Sequence, residues 1–184
     1  MTCIVGIEKG GRVYLAGDIQ GTGGNSKVVH TQPKVYKVGD MVVGFSGSYR
    51  FGQIIENYLK DPFVPDKNAS VYKWLVQAVV PQIIEILDDH GYYGSDDEEG
   101  STGIVGGNCL IGVRDELWEL QDDFSLLRST RGYMAIGSGC EYALAATEAL
   151  RTRVKSPDKL LKDVLSITSI HCPSVGKDAV VIHT

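Results

Sequence analysis

A chain of 184 residues with 43% apolar and 22% charged side chains has the composition of an ordinary globular protein, so we expect a single domain over residues 1–184. This composition excludes a disordered or low-complexity protein. Acidic residues outnumber basic ones by 23 to 18 and the net charge is -5, which argues against nucleic acid as a partner.

The positions of the cysteine, histidine and apolar residues exclude further classes of protein. The four cysteines and four histidines lack the spacing of a zinc site, so we expect neither a metal nor another cofactor. The amino-terminal segment carries no cationic leader and no long apolar stretch, which predicts a cytoplasmic protein. The longest apolar region, residues 74–87, is interrupted by Pro81 and by three polar side chains, which argues against a membrane span.

The first 47 residues alternate β-like runs with glycine turns, which predicts two β-hairpins. Gly10-Gly11 forms the turn of the first hairpin and Gly39-Asp40 that of the second. Between the hairpins, segment 21–27 is rich in glycine but lacks the spacing of a nucleotide-binding loop, so we expect a turn. The predicted strands cover residues 3–8, 12–18, 35–38 and 41–45.

Two helices are predicted in the next part of the chain. Apolar residues recur at helical spacing over residues 51–59, behind Ser48 and before Pro62. A second helix is predicted over residues 70–89, where apolar residues on more than one side indicate that two faces are covered. Pro81 should kink or divide that helix, because proline cannot donate a backbone hydrogen bond.

The second half repeats the order of strands followed by helices. An acidic segment, Asp96–Glu99, lies among glycines and serines and predicts a hydrated loop over residues 92–107. Further strands are predicted at residues 108–113, 117–120, 125–127, 133–136 and 179–182, and helices at residues 140–153 and 157–170. Ser156 is expected to cap the last helix. This order indicates α+β packing, with helix pairs that cover both sides of a sheet sandwich.

Thr2 is the first candidate for chemistry. A small second residue permits removal of Met1, and the mature chain would then begin with a threonine. Its free α-amine, with a reference pKa near 8, could accept the proton of its own hydroxyl at neutral pH. On Met1-Thr2 alone, the simpler interpretation is that Thr2 is merely a tolerated second residue.

Six motifs, taken together in their order and spacing, resemble the proteasome β-type subunits, and most of all the bacterial HslV branch of that family. The motifs are Thr2-Cys3-Ile4-Val5-Gly6-Ile7, residues 16–25, Lys34-Val35, Gly44-Phe45-Ser46-Gly47, Ala135-Ile136-Gly137-Ser138-Gly139 and Tyr142-Ala143-Leu144-Ala145-Ala146. The resemblance implies an N-terminal-nucleophile hydrolase with a four-layer αββα sandwich. It also implies a threonine peptidase that forms a homo-oligomeric ring and degrades peptides or unfolded proteins delivered by an ATP-dependent unfoldase.

The resemblance further implies a role for each of six residues. Thr2 would be the nucleophile, Lys34 the cation beside it and Asp18 the acid that holds Lys34. Gly47 would supply the oxyanion-hole amide, although a glycine kept for a tight turn explains it as well. The family serines fall on Ser138 and Ser174.

Two features leave alternatives open. Ser138 also begins a capping box, Ser138-Gly139-Cys140-Glu141, so capping the following helix could be its main role. His171 stands where the family has an aspartate, and it could still hydrogen-bond Ser138 or the terminal amine. Its neighbour Cys172 points elsewhere on any regular backbone, which favours a packing role.

Three rival hypotheses follow from these uncertainties. Processing one residue further would expose Cys3 as the nucleophile instead of Thr2. A small-molecule amidase could use the same nucleophile in the same fold. A non-catalytic assembly subunit would keep the fold and lose the chemistry, as His171 permits.

Overall fold

The computed structural model describes residues 2–23, 26–60, 66, 68–92 and 106–184. Residues 93–105 of the predicted acidic loop, with Asp96–Glu99, lie outside these residues, as do Gly24, Asn25 and Pro62. The strands of the described part are β1 (Cys3–Lys9), β2 (Arg12–Asp18), β3 (Gln20–Gly23), β4 (Ser26–Val29), β5 (Val35–Val38), β6 (Met41–Gly47), β7 (Gly107–Val113), β8 (Glu116–Leu120), β9 (Leu126–Leu127), β10 (Tyr133–Gly137) and β11 (Ala179–His183).

The helices begin and end close to their predicted positions. They are α1 (Tyr49–Tyr58), α2 (Val71–Trp74), α3 (Val80–Asp89), α4 (Cys140–Leu150) and α5 (Pro157–His171), with a π-helical segment, Leu75–Val79, between α2 and α3. Ser156 accepts a hydrogen bond from the Lys159 amide, so the predicted N-cap of the last helix is confirmed, and Ser48 accepts one from the Arg50 amide at the start of α1. Every helix of the described residues is too short or too polar to span a bilayer.

Pro81 disturbs its helix without ending it. Because Pro81 has no N–H to donate, the carbonyl four residues before it loses its usual partner. The turn just before the proline is wider than an α-turn, and the amide of Val80 bonds to the carbonyl of Leu75. The predicted disturbance is therefore present as a π-helical segment, after which the helix continues to Asp89.

The strands form two principal antiparallel sheets. One has the order β10-β1-β2-β11 and the other the order β5-β6-β7-β8-β9, so the two predicted hairpins, β1-β2 and β5-β6, are confirmed. The expected turn at 21–27 is wrong for most of its length, because β3 and β4 pair there as a separate two-stranded sheet. The side chains of β4 are exposed, so that segment lacks the apolar alternation that identifies a strand in sequence.

Three buried clusters define four layers. One lies between the two sheets and includes Ile4 and Leu15 from the first sheet and Val42 and Leu110 from the second. Another joins the five-stranded sheet to α1, α2 and α3, and a third joins the four-stranded sheet to α4 and α5. Each fully buried leucine or isoleucine contributes about 1.5–3 kcal/mol to this packing. The predicted α+β, αββα sandwich is confirmed.

Candidate active site

A cavity of about 490 Å³ opens beside Thr2, where the gap between the two sheets reaches the surface. The end of β6, with Ser46 and Gly47, lines it, as do Gly137 and Ser138 at the end of β10. The antiparallel register pairs Cys3 with Gly137, and this pairing brings the beginning of β1 next to Ser138. Thr2 itself is only 5% exposed.

A buried ion pair bonds to the backbone of Cys3, the residue after Thr2. The Lys34 Nζ is 3.0 Å from the Asp18 Oδ1, and both side chains are almost completely buried. The same Oδ1 accepts the backbone N–H of Cys3 at 3.0 Å, which links the ion pair to the residue after Thr2. The other carboxylate oxygen accepts the amides of Gln20 and Gly176, each at 3.1 Å. Four donors therefore bond to one carboxylate, and four is about the number of hydrogen bonds that its two oxygens can accept.

The environment of Lys34 acts on its charge in two directions. Burial lowers the pKa of Lys34 from its ordinary value of 10.5, while the charge and hydrogen bond of Asp18 act to raise it. The ammonium group also donates to the carbonyl of Gln20 at 2.5 Å. Asp18 is therefore what allows a positive charge to remain at this buried position.

Ser138 and Ser174 form a second polar group, which bonds to the carbonyl of Thr2. The Ser138 hydroxyl donates to the Thr2 carbonyl at 3.3 Å and lies 2.8 Å from the Ser174 hydroxyl. The amide of Gly139 donates to the same carbonyl at 3.4 Å. The capping interpretation of Ser138 is wrong, because the N-cap of α4 is Gly139 and no side chain caps that helix.

His171 does not take the position expected for it. It is the last residue of α5, its side chain is exposed, and its ring stacks on Tyr142 with the ring centroids 6.0 Å apart. The groups that the Ser138 hydroxyl contacts are Thr2 and Ser174 instead. The neighbouring Cys172 is buried, with its Sγ 3.1 Å from the Ser174 hydroxyl and 3.6 Å from the Ser138 carbonyl. Sequence reasoning assigned Cys172 to packing and missed these polar contacts.

Two glycines at the cavity have backbone angles that favour glycine. Gly47 has φ +101°, and a Cβ on it would collide with the Gly106 carbonyl. Gly137 has φ +87°, and a Cβ there would collide with the Thr2 carbonyl. The positive φ and the close approach of Gly106 explain the glycine at position 47, which lies at the end of β6 and not in a tight turn.

We expect Gly137→Ala to disturb the site more than the fold. The new methyl group needs the space of the Thr2 carbonyl, so Thr2 must shift, and the left-handed backbone adds strain, for a total cost of about 1–3 kcal/mol. Thermal unfolding measures that cost. As a control, Gly10→Ala also places a side chain at positive φ, but in open space at the far end of β1. Equal effects of both variants on peptide cleavage would contradict this prediction.

The remaining features of the site are the burial of Cys3 and the charged residues that line the cavity. Cys3 is fully buried, and burial raises the pKa of its thiol far above the ordinary value, which disfavours the thiolate. Among the described residues that line the cavity, the charged ones are Glu119 and Asp122. No group of three or more metal-ligating side chains occurs within the described residues.

Comparisons with known proteins agree with this fold. No protein-family model matches the chain. It is 24% identical over 182 residues to the ATP-dependent protease subunit HslV of Roseobacter denitrificans, with 93% of this chain and 86% of that protein covered. Among solved structures, it is similar to Thiobacillus denitrificans BPH in complex with epoxomicin, with a TM-score of 0.78, 23% identity and coverage of 100% and 98%. HslV from Trypanosoma brucei matches with a TM-score of 0.70, 19% identity and coverage of 99% and 98%.

Proposed function

We infer that this chain, a homologue of HslV by its sequence and structure neighbours, is a threonine-type endopeptidase whose nucleophile is Thr2 after removal of Met1. The observation that carries the proposal is that two hydrogen-bonded groups bond to the backbone at Thr2 and at the next residue. The Asp18–Lys34 pair holds the amide of Cys3, and Ser138, which is paired with Ser174, bonds to the Thr2 carbonyl. A cavity beside Thr2 provides room for a peptide.

The proposed mechanism is acyl transfer by a residue that supplies its own base. The Thr2 amine accepts the hydroxyl proton while the oxygen attacks a peptide carbonyl carbon, and the carbonyl electron pair moves to its oxygen. The amide of Gly47 holds this oxyanion. Collapse expels the amine half of the peptide, which takes the proton from the Thr2 ammonium. Water, deprotonated by the same amine, then releases the ester.

Lys34 supplies the electrostatic part of this mechanism. A positive charge close to Thr2 favours the neutral amine over the ammonium and favours the alkoxide over the hydroxyl. Both effects make the residue a better nucleophile at neutral pH. Asp18 keeps the lysine charged and in place through the bond at 3.0 Å.

The proposal extends to the assembly and its substrates. The matched Roseobacter protein is an ATP-dependent protease subunit, which supports an ATP-dependent unfoldase as partner and unfolded proteins as substrates. We propose a homo-oligomeric ring in the cytoplasm, with the cavity of each copy facing the interior. His171 lies against Tyr142 rather than at Ser138, so it adds no positive charge beside that serine. The non-catalytic assembly subunit stays the alternative, because His171 still replaces the acid of the family.

Intact mass spectrometry with an epoxyketone inhibitor tests the proposal. An epoxyketone has two electrophilic carbons, so a residue with both a hydroxyl and a free amine can react twice and close a ring. The protein purified from its own source should lack Met1 and should gain one inhibitor per chain. Thr2→Ala, which keeps the amine and loses the hydroxyl, serves as the matched control and should gain none. Retention of Met1 together with an absent adduct would refute the assignment, and cleavage of small amides but not of peptides would favour the amidase.

A further inference from the structure

Cys172 lies at the end of a chain of hydrogen bonds that leads to Thr2. Its Sγ is 3.1 Å from the Ser174 hydroxyl, which is 2.8 Å from the Ser138 hydroxyl, which is 3.3 Å from the Thr2 carbonyl. Cys172 and Ser174 are buried, at 7% and 6% exposure, so water has little access to the thiol end of the chain. The Sγ has a second partner within range, the backbone carbonyl of Ser138 at 3.6 Å.

Each of the three side chains carries a single hydrogen to donate, which allows four arrangements of this chain, and two of them differ at every donor. In the first arrangement, Cys172 donates to Ser174, Ser174 to Ser138, and Ser138 to the Thr2 carbonyl. In the second, Cys172 donates to the Ser138 carbonyl, Ser174 donates to the sulfur, and Ser138 donates to Ser174. The Thr2 carbonyl then keeps the amide of Gly139 as its donor.

The two arrangements differ in what Ser138 offers to Thr2. In the first, its hydroxyl points its hydrogen towards Thr2. In the second, the hydrogen points to Ser174, so neither lone pair of the Ser138 hydroxyl is used within the chain. An ammonium group, which forms on Thr2 during acylation under the proposed function, needs acceptors of this kind.

We propose that Cys172 is a positioning residue whose thiol, by changing its acceptor from Ser174 to the Ser138 carbonyl, lets Ser138 turn from a donor into an acceptor for the Thr2 amine. This inference rests on the proposed function, because it requires a free amine on Thr2. A side chain without a polar atom at position 172 leaves the second arrangement with a buried Ser174 hydroxyl that has no acceptor, which disfavours that arrangement.

Other groups around Thr2 also influence its amine, and none of them is altered in the test. Besides the adjacent Cys3, the titratable groups that bond near Thr2 or line its cavity are Asp18, Lys34, Glu119, Asp122 and Cys140. A change of titration that follows substitution of Cys172 alone is therefore assigned to the hydrogen-bond chain.

The test combines nuclear magnetic resonance with kinetics on the complete assembly. Threonines with isotope-labelled methyl groups report the titration of the Thr2 amine, and the Thr2 signal is assigned by its loss in Thr2→Ala. In Cys172→Ala, the amine should titrate about half a pH unit lower, because its ammonium form has lost an acceptor. The kcat for peptide cleavage should fall about 3- to 10-fold with KM unchanged. Cys172→Ser, whose hydroxyl donates and accepts, should restore most of both values.

Two further variants separate this role from packing. Cys172→Val fills the space of the thiol without its polar atom, and it should behave like Cys172→Ala even if the alanine variant folds poorly. Cys109→Ala removes an equally buried thiol from the core between the five-stranded sheet and the helices, and it should alter stability but not titration. Wild-type titration in Cys172→Ala and Cys172→Val, or a lower kcat without a change of titration, would overturn the inference.

The same measurements distinguish failure of the inference from failure of the proposed function. An amine that titrates and responds to Cys172→Ala, in a protein that neither cleaves peptides nor reacts with the epoxyketone, contradicts the function and leaves the hydrogen-bond chain intact. Active protein that is insensitive to position 172 contradicts only the inference. A Thr2 signal that never titrates in the wild type contradicts both.

Discussion

Thr2→Ala is expected to abolish peptide cleavage, with a loss of at least about 1,000-fold in kcat, because no other group at the site combines an attacking oxygen with a base. Thr2→Ser keeps both the hydroxyl and the amine and should retain substantial activity. Fluorogenic peptides measure the rate, and light scattering verifies that the assembly is intact. Ser138 and Gly139 bond to the carbonyl of Thr2, and the alanine variant retains that group, so we expect normal assembly.

Residual cleavage by Thr2→Ala has a defined interpretation. If it equals the wild-type rate and disappears after alkylation of thiols, Cys3 is the nucleophile and the assignment of Thr2 is refuted. The burial of Cys3 and the raised pKa of its thiol argue against that result. A loss of assembly in Thr2→Ala would instead assign Thr2 a structural role.

Substitution of Asp18 should have the largest effect on stability. Asp18→Asn replaces an oxygen that accepts hydrogen bonds by an amide that donates them, which removes the negative charge that faces Lys34 and takes the acceptor away from two of the four donors. We expect a loss of about 3–5 kcal/mol in the free energy of unfolding. Cleavage should fall with it, because Lys34 then loses its charge more readily.

Lys34→Met is the matched comparison and should cost less, about 2 kcal/mol, because three backbone amides still bond to the Asp18 carboxylate. The activity of Lys34→Met should nevertheless fall about as far as that of Asp18→Asn, since the positive charge of Lys34 is gone. Urea denaturation and peptide cleavage of both variants measure this asymmetry. Equal destabilisation by the two substitutions would contradict the account of Asp18 as the centre of this network.

The lowered pKa of Lys34 also predicts opposite pH dependences for activity and stability. Activity should decline as the pH rises and Lys34 loses its proton. This decline should come below pH 10.5, the ordinary pKa of lysine. Between the folded pKa and 10.5 the unfolded chain binds more protons than the folded one, so the stabilising free energy should rise with pH in that window. Asp18→Asn should move the decline of activity to lower pH.

Local signals in the sequence accounted for most of the framework. The hairpins β1-β2 and β5-β6 have apolar runs around glycine turns, and α5 has Ser156 before a proline and an apolar stripe. The pair β3-β4 was missed because the side chains of β4 face solvent, so nothing in its pattern distinguishes it from a turn. The sequence also does not distinguish a kink or a break at Pro81 from a π-helical turn, because proline removes the same hydrogen-bond donor in each case.

The polar part of the site shows where local reasoning fails. The capping box at Ser138 is a motif of four neighbours, whereas the contacts that this serine makes are 136 and 36 residues away, at Thr2 and Ser174. The amide of Gly176 anchors Asp18, but a backbone N–H leaves no mark on residue type. Cys172 was assigned to packing because its polar contacts depend on the loop after α5, which the residue pattern does not describe.

The anchoring of Asp18 has a consequence for when the protein first becomes able to cut a chain. Its partners come from positions 15 and 16 residues away along the sequence and also from one 158 residues away, so the carboxylate is complete only when β11 and the segment before it have joined the sheet. Contacts of such long range form late in folding. We therefore expect nascent and half-folded copies to be inert, which protects their neighbours from premature digestion while the molecule matures.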